Sequence, residues 1–169
     1  MNQADPAPNA ILVINVSRIG DTLLATPVLR ALARAWPRAR ISVLGHPKRV
    51  EIVDHLPFVA ETGAITKLRA PFRGWLSTGR WDLALVYGFD RALVRYALRR
   101  ATRVVAFRQD QPSLDARLYR SVPHPGYPSL HLAEIPLLLT RALGVPDAGL
   151  RLAYRVTEQE KAWARTTLP

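Results

Sequence analysis

The chain has 169 residues, an apolar share of 49% and a formal net charge of +11, enough to bury one core in one domain of ordinary size. With no cysteine, disulfides and cysteine-based metal sites are excluded, which fits a reducing, cytoplasmic setting. No apolar run approaches the ~20 residues needed to span a bilayer.

Residues 1–9 are polar and carry two prolines. They lack the basic and apolar regions of a signal peptide and read as a flexible tail. Residues 11–16 are apolar and β-branched apart from Asn15, the pattern of a central parallel strand covered on both faces. This run leads into Gly20, read as a sharp turn, and Asp21, which the strand places at the carboxyl edge of the sheet. In α/β folds, sites form in that crevice. Asp21 has two readings: a cap accepting hydrogen bonds from free helical N–H groups, or a carboxylate available for chemistry. Pro27 lacks an N–H and suits a first helical position with Thr26 as N-cap, so residues 17–25 read as a loop with a single turn. A dinucleotide fingerprint and a phosphate loop are both missing from the sequence.

Further strands are expected at 40–44, 64–68, 82–87 and 102–106, and helices at 27–36, 47–55, 72–77, 91–100 and 131–143. Pro136 makes the last of these start late or kink. Residues 108–130 hold four prolines and no period and read as a long loop, a type that is usually functional or mobile. A short strand at 150–154 is allowed. Thr157 with Glu160 then forms a capping-box sequence opening a helix at 158–167. Strand and helix alternate throughout. The fold class is therefore α/β, a Rossmann-like, mostly parallel sheet with helices on both faces.

A net charge of +11 admits nucleic acid, an anionic membrane or an anionic sugar-phosphate as partner. The basic residues are scattered and no nucleic-acid module is present, which argues against nucleic acid. The histidines, among them His124 and His131, have no metal-ligand spacing.

The stretch from Ile11 to Leu32 resembles the opening of the bacterial lipopolysaccharide heptosyltransferases, glycosyltransferase family 9. The matching residues are Arg18, Ile19, Gly20 and Asp21, the leucine pair Leu23 and Leu24, Thr26 with Pro27, and Trp36 with Pro37. Residues 39–44 and 81–86 are similar to the family's second and fourth strands. His131 to Glu134, with Leu143 and Gly144, is similar to a later helix. The resemblance implies one half of a GT-B architecture, the amino-terminal acceptor-side domain. On that reading residues 10–156 form the domain, 157–169 lead toward a second domain, and the chain stops at Pro169 where the crossing is expected.

The resemblance further implies transfer from a nucleotide sugar such as ADP-heptose to a lipopolysaccharide-core acceptor. Asp21 would be the base of an inverting displacement that requires no metal. The other half would hold most of the donor. Such a protein is cytoplasmic and compatible with a peripheral place at the inner membrane. Arg18, Arg69, Arg73, Arg117 and Arg120 are candidates for acceptor or donor phosphates and carboxylates, because the guanidinium fork is bidentate. Gly20 is a further candidate for close approach to the donor, or else a simple left-handed turn. Residues 86–90, Val86 to Asp90, depart from the polar or acidic end of the family's fourth strand, which implies a different acceptor pocket. Phe72, Trp75, Trp81 and Tyr87 are candidates for stacking on sugars or for core packing. The alternative function is a non-catalytic fragment that binds an anionic saccharide or nucleotide.

Overall fold

A computed structural model of the chain describes residues 6–71, 80–126 and 130–167. Within them lie six strands: β1 (Ala10–Asn15), β2 (Arg40–Gly45), β3 (Glu61–Ala64), β4 (Trp81–Val86), β5 (Ala101–Phe107) and β6 (Arg120–Val122). Their order is β3-β2-β1-β4-β5-β6, and every pairing is parallel. The strand expected at 11–16 is central, with Ile11 in register with Ile41 on one side and Leu83 on the other. The order reverses between β1 and β4, and such a reversal opens a crevice beyond the carboxyl ends of the strands.

The helices are α1 (Ile19–Leu24), α2 (Thr26–Ala35), α3 (Arg91–Arg100), α4 (Pro112–Asp115), α5 (Leu137–Arg141) and α6 (Glu158–Thr167). Because side chains alternate along a strand, the central strands feed two cores. Ile11, Val13, Leu83 and Leu85 pack with Leu29 and Leu32 of α2 and Leu137 and Leu139 of α5. Leu12, Ile14, Ala84 and Val86 pack on the other face with Leu93, Val94 and Ala97 of α3. The sheet is thus covered on both faces, as its near-continuous apolar strands require. At its amino edge, Asp82 accepts hydrogen bonds from the backbone N–H groups of Asn9 and Ala10, at 2.7 and 3.0 Å.

Several expectations needed correction. The strand placed at 64–68 lies at Glu61–Ala64 instead. As the sheet's edge strand it tolerates polar residues, and Gly63 lets it pass close to β2, where an added Cβ would meet Leu44 Cδ2 at 2.8 Å. The helix expected at 47–55 is a 3₁₀ turn, Val50–Val53. The helix expected at 131–143 shrinks to α5, since Pro136 sets its start. The supposed loop at 108–130 contains α4 and β6. Both are too short to carry a period, and pairing with β5 is what makes β6 a strand. No strand forms at 150–154. There the Ala153 N–H donates to Thr26 Oγ1 at 2.9 Å, tying the segment to the start of α2. Helices α3 and α6 match their expected ranges. The helix expected at 72–77 lies outside the described residues.

Candidate active site

The end of β1 carries the site. Asn15 is buried, and the chain leaves the sheet through Val16 and Ser17 into α1. Ser17 Oγ donates to Asn15 Oδ1, and the Ser17 carbonyl accepts from Arg49 Nη1 at 2.9 Å. Thr22 Oγ1 donates to the Arg18 carbonyl at 2.9 Å. These bonds hold the first turn of α1 against the strand end. Gly20 does not make the sharp turn expected of it. It lies within α1, with nothing within 4 Å of the position its Cβ would take. The left-handed glycine at this edge is Gly88, at φ +84°, just beyond β4.

Asp21 is exposed at the carboxyl edge, as its position after the strand predicts. It is the third residue of α1, and its Oδ2 accepts from the Arg18 N–H at 3.3 Å, reaching back to the helix start. Its Oδ1 has no hydrogen-bond partner among the described residues, and no ion pair there engages the carboxylate. Capping therefore occupies one oxygen and leaves the other available as a proton acceptor. The capping contact and an available carboxylate oxygen are thus compatible in one residue.

Two clefts meet at Asp21. One, of about 580 Å³, lies over the ends of β1, β2 and β3 and is lined by Arg18, His46, Arg49 and Lys67 with Asp21. Lys67 is ion-paired with Asp90 at 3.4 Å. Asp90 in turn caps α3 by accepting from the N–H groups of Ala92 and Leu93, at 3.0 and 3.2 Å. The other, of about 360 Å³, lies at the reversal of strand order and beyond. It is bordered by Asn15, Ser17 and Asp21 on one side and by Tyr87, Phe89, Phe107 and His124 on the other. A further hollow of about 620 Å³ between residues 54–59 and the start of α6 lies off this edge, beside the chain that leads back to the amino end of β3.

Of the arginines singled out in the sequence, Arg18 borders the first cleft. Arg69 follows β3 but is exposed in the turn closed by its own N–H to the Thr66 carbonyl at 3.1 Å, and it lines neither cleft. Arg117 is exposed beyond α4, and Arg120 stacks over Tyr119 at 4.2 Å. Both expectations rested on a loop that instead contains α4 and β6, and neither residue lines either cleft. Arg73, Phe72 and Trp75 lie outside the described residues. Trp81 sits at the amino end of β4 beneath Arg100, at 5.2 Å, on the wrong edge for a site. Tyr87 lines the second cleft but is buried in the core.

Sequence reasoning missed His46, Arg49, Lys67 and His124 as site residues, and it reached Phe89 only within the stretch 86–90. Phe89 carried a readable signal, the same strand-then-glycine pattern that picked out Asp21.

No match is found among protein-family profiles or curated proteins. Solved structures do match. The glycosyl transferase family 9 protein of Veillonella parvula DSM 2008 superposes with a TM-score of 0.77 at 16% identity, over 95% of this chain and 51% of that one. The ADP-heptose lps heptosyltransferase II of E. coli gives 0.75 at 20% identity, with coverage of 95% and 51%. This chain has the fold of half a family 9 glycosyltransferase. The E. coli heptosyltransferase WaaC, solved with ADP-2-deoxy-2-fluoro heptose, also matches, with a TM-score of 0.66 at 16% identity over 95% of this chain and 55% of that one. The chain thus spans about half the length of the solved structures it matches. The family 9 fold places the β1–α1 turn, with Asp21, at the carboxyl edge on which two clefts converge.

Proposed function

We propose that this chain is the acceptor-side half of a heptosyltransferase-like glycosyltransferase, with Asp21 as the catalytic base. The observation that carries this reading is the free Oδ1 of Asp21 at the meeting point of the two clefts. Sugar transfer from a nucleotide diphosphate requires a proton acceptor on the attacking hydroxyl, charge stabilisation on the leaving group and exclusion of water. An acceptor hydroxyl within hydrogen-bond reach of Oδ1 gives up its proton there as its oxygen bonds to the anomeric carbon. The bond from that carbon to the diphosphate breaks on the opposite face, and the configuration inverts. The reaction proceeds without a metal.

The acceptor is a lipopolysaccharide-core saccharide, and the donor is a nucleotide sugar of the ADP-heptose kind, gripped mainly by the other half of the protein. Arg18, Arg49 and Lys67 supply positive charge beside Asp21 for the acceptor's phosphates or carboxylates. Gly20, in the exposed first turn of α1, leaves room for the donor to approach. Arg69, Arg117 and Arg120 line neither cleft and are left out of this reading. The protein works in the cytoplasm, where a peripheral position at the inner membrane brings it to its acceptor.

In a protein carrying both halves, Asp21→Asn preserves size and the backbone contact but removes the proton acceptor. Turnover from ADP-heptose to a lipopolysaccharide-core acceptor should fall about 10²–10⁴-fold. Donor affinity and the melting temperature should stay close to those of the parent. Unchanged turnover removes Asp21 from the mechanism. A loss of activity matched by thermal destabilisation assigns it to capping alone.

A further inference from the structure

Phe89, Phe107 and His124 come from three separate parts of the chain, just past β4, at the end of β5 and just past β6, and they meet as one aromatic wall. The ring centroids of Phe89 and Phe107 lie 6.2 Å apart, and His124 stands edge-on to each of them at 5.0 Å. Phe89 is 56% exposed, although the wall faces a cleft of about 360 Å³, the size of a small-molecule site. Gly88 makes this possible: its φ of +84° turns the chain so that Phe89 stands at the crevice while Tyr87 packs inward. The chain carries 24 lysines and arginines, yet among the described residues none of them lines this cleft. The described lysine and arginine neighbours of Asp21, Arg18, Arg49 and Lys67, line the other cleft, on the far side of Asp21, and His124 is the one basic side chain among the described residues lining this one. The polar groups of the aromatic cleft, Asn15, Ser17 and Asp21, gather at its β1 side.

From this partition we infer that the aromatic cleft is a subsite for one uncharged pyranose ring, the ring that bears the reacting hydroxyl, and that Phe89, Phe107 and His124 set this specificity. A pyranose offers a face of C–H groups with weak positive charge and a rim of hydroxyls. The negative faces of aromatic rings attract the first, and the polar β1 side accommodates the second. A carboxylate or phosphate on the same ring would lose its hydration in this cleft without gaining a cation, which is unfavourable. Anionic groups of the acceptor then belong across Asp21, beside Arg18, Arg49 and Lys67. A lipid chain would find no use for the three polar residues. The inference rests on the transferase reading for the word "reacting", but the ring-binding preference stands on the cleft alone.

The test is an NMR titration of the 169-residue chain with methyl α-glucopyranoside, a neutral ring, and with methyl α-glucuronide, the same ring carboxylated at C6. The neutral glycoside should shift the ring signals of Phe89, Phe107 and His124 and bind more tightly than the glucuronide. Phe89→Ala should weaken it about tenfold, the effect of losing one stacked ring, while the melting temperature holds because that ring is already exposed. Tighter binding of the glucuronide, equal binding of the two sugars in Phe89→Ala and parent, or no ring shifts with either sugar would each overturn the subsite. The same titration of Asp21→Asn keeps the two proposals apart. Ring binding that survives in an Asp21→Asn chain, with transfer by a protein carrying both halves unaffected by the same substitution, removes the base and leaves the subsite. Loss of transfer in Asp21→Asn with no ring binding does the reverse.

Discussion

Two side chains at the carboxyl edge show how local bonding decides what a residue can do. Asp21 gives one carboxylate oxygen to the Arg18 N–H and keeps the other free among the described residues, so capping the helix leaves an acceptor at the strand end. Tyr87, one residue past β4, is the opposite case. Its hydroxyl is buried with no hydrogen-bond partner among the described residues, and burial pushes its pKa far above the ordinary tyrosine value. The buried phenol therefore favours its neutral form and carries a desolvation cost that no described partner offsets. Tyr87→Phe should stabilise the chain by about 1 kcal/mol, a rise of about 2–4 °C in melting temperature for a domain of this size. Thermal unfolding of the two proteins measures it. A lower melting temperature would mean that the hydroxyl is satisfied by a buried water.

Among the elements, α6 is the one most dependent on its cap, because none of its residues is buried. Glu160 Oε2 accepts from the Thr157 N–H at 2.6 Å and from Thr157 Oγ1 at 2.8 Å, and the Glu160 N–H donates back to Thr157 Oγ1 at 3.2 Å. The backbone bond first, and the hydroxyl bond after it, hold the Glu160 carboxyl below its ordinary value of 4.5. A carboxyl lowered by folding contributes stability that is fully present above its unfolded pKa and is lost as pH falls through the lower, folded one. The start of α6 should accordingly fray in acid below pH 4.5 while the buried sheet persists. Amide exchange at Thr157 and Glu160, followed from neutral pH into acid, should rise in that window. Glu160→Gln should flatten the dependence.

For the whole molecule, the governing feature is a sheet buried on both faces with its open crevice at one edge. Two cores and a complete set of parallel pairings supply what independent folding needs. Residues 1–169 should unfold as one cooperative transition. On the proposed division of labour the same chain should give no transfer from ADP-heptose, since the donor's diphosphate would be held elsewhere. Anionic saccharides should still bind weakly at the basic cleft, and added salt should weaken them further. Robust turnover by the isolated chain would show that both substrates are held by these residues and would overturn that division.

Whatever depended on a repeating local pattern was legible in the sequence: β1 as a buried central strand, α3, α6 with its capping box, and Asp21 at the carboxyl edge. Each is specified by neighbours a few residues apart, where apolar spacing and caps act directly. The basic cleft and the aromatic wall were not legible, because their residues converge only after strand order is set. His124 reaches Phe89 and Phe107 through β6, a three-residue strand with too little sequence to show a period. The same reading of that stretch as a loop singled out Arg117 and Arg120, which line neither cleft. Sequence alone determined which segments form the sheet and where a carboxylate leaves it. Only the tertiary structure decided which side chains surround that carboxylate, because parallel pairing joins segments that lie far apart in the chain.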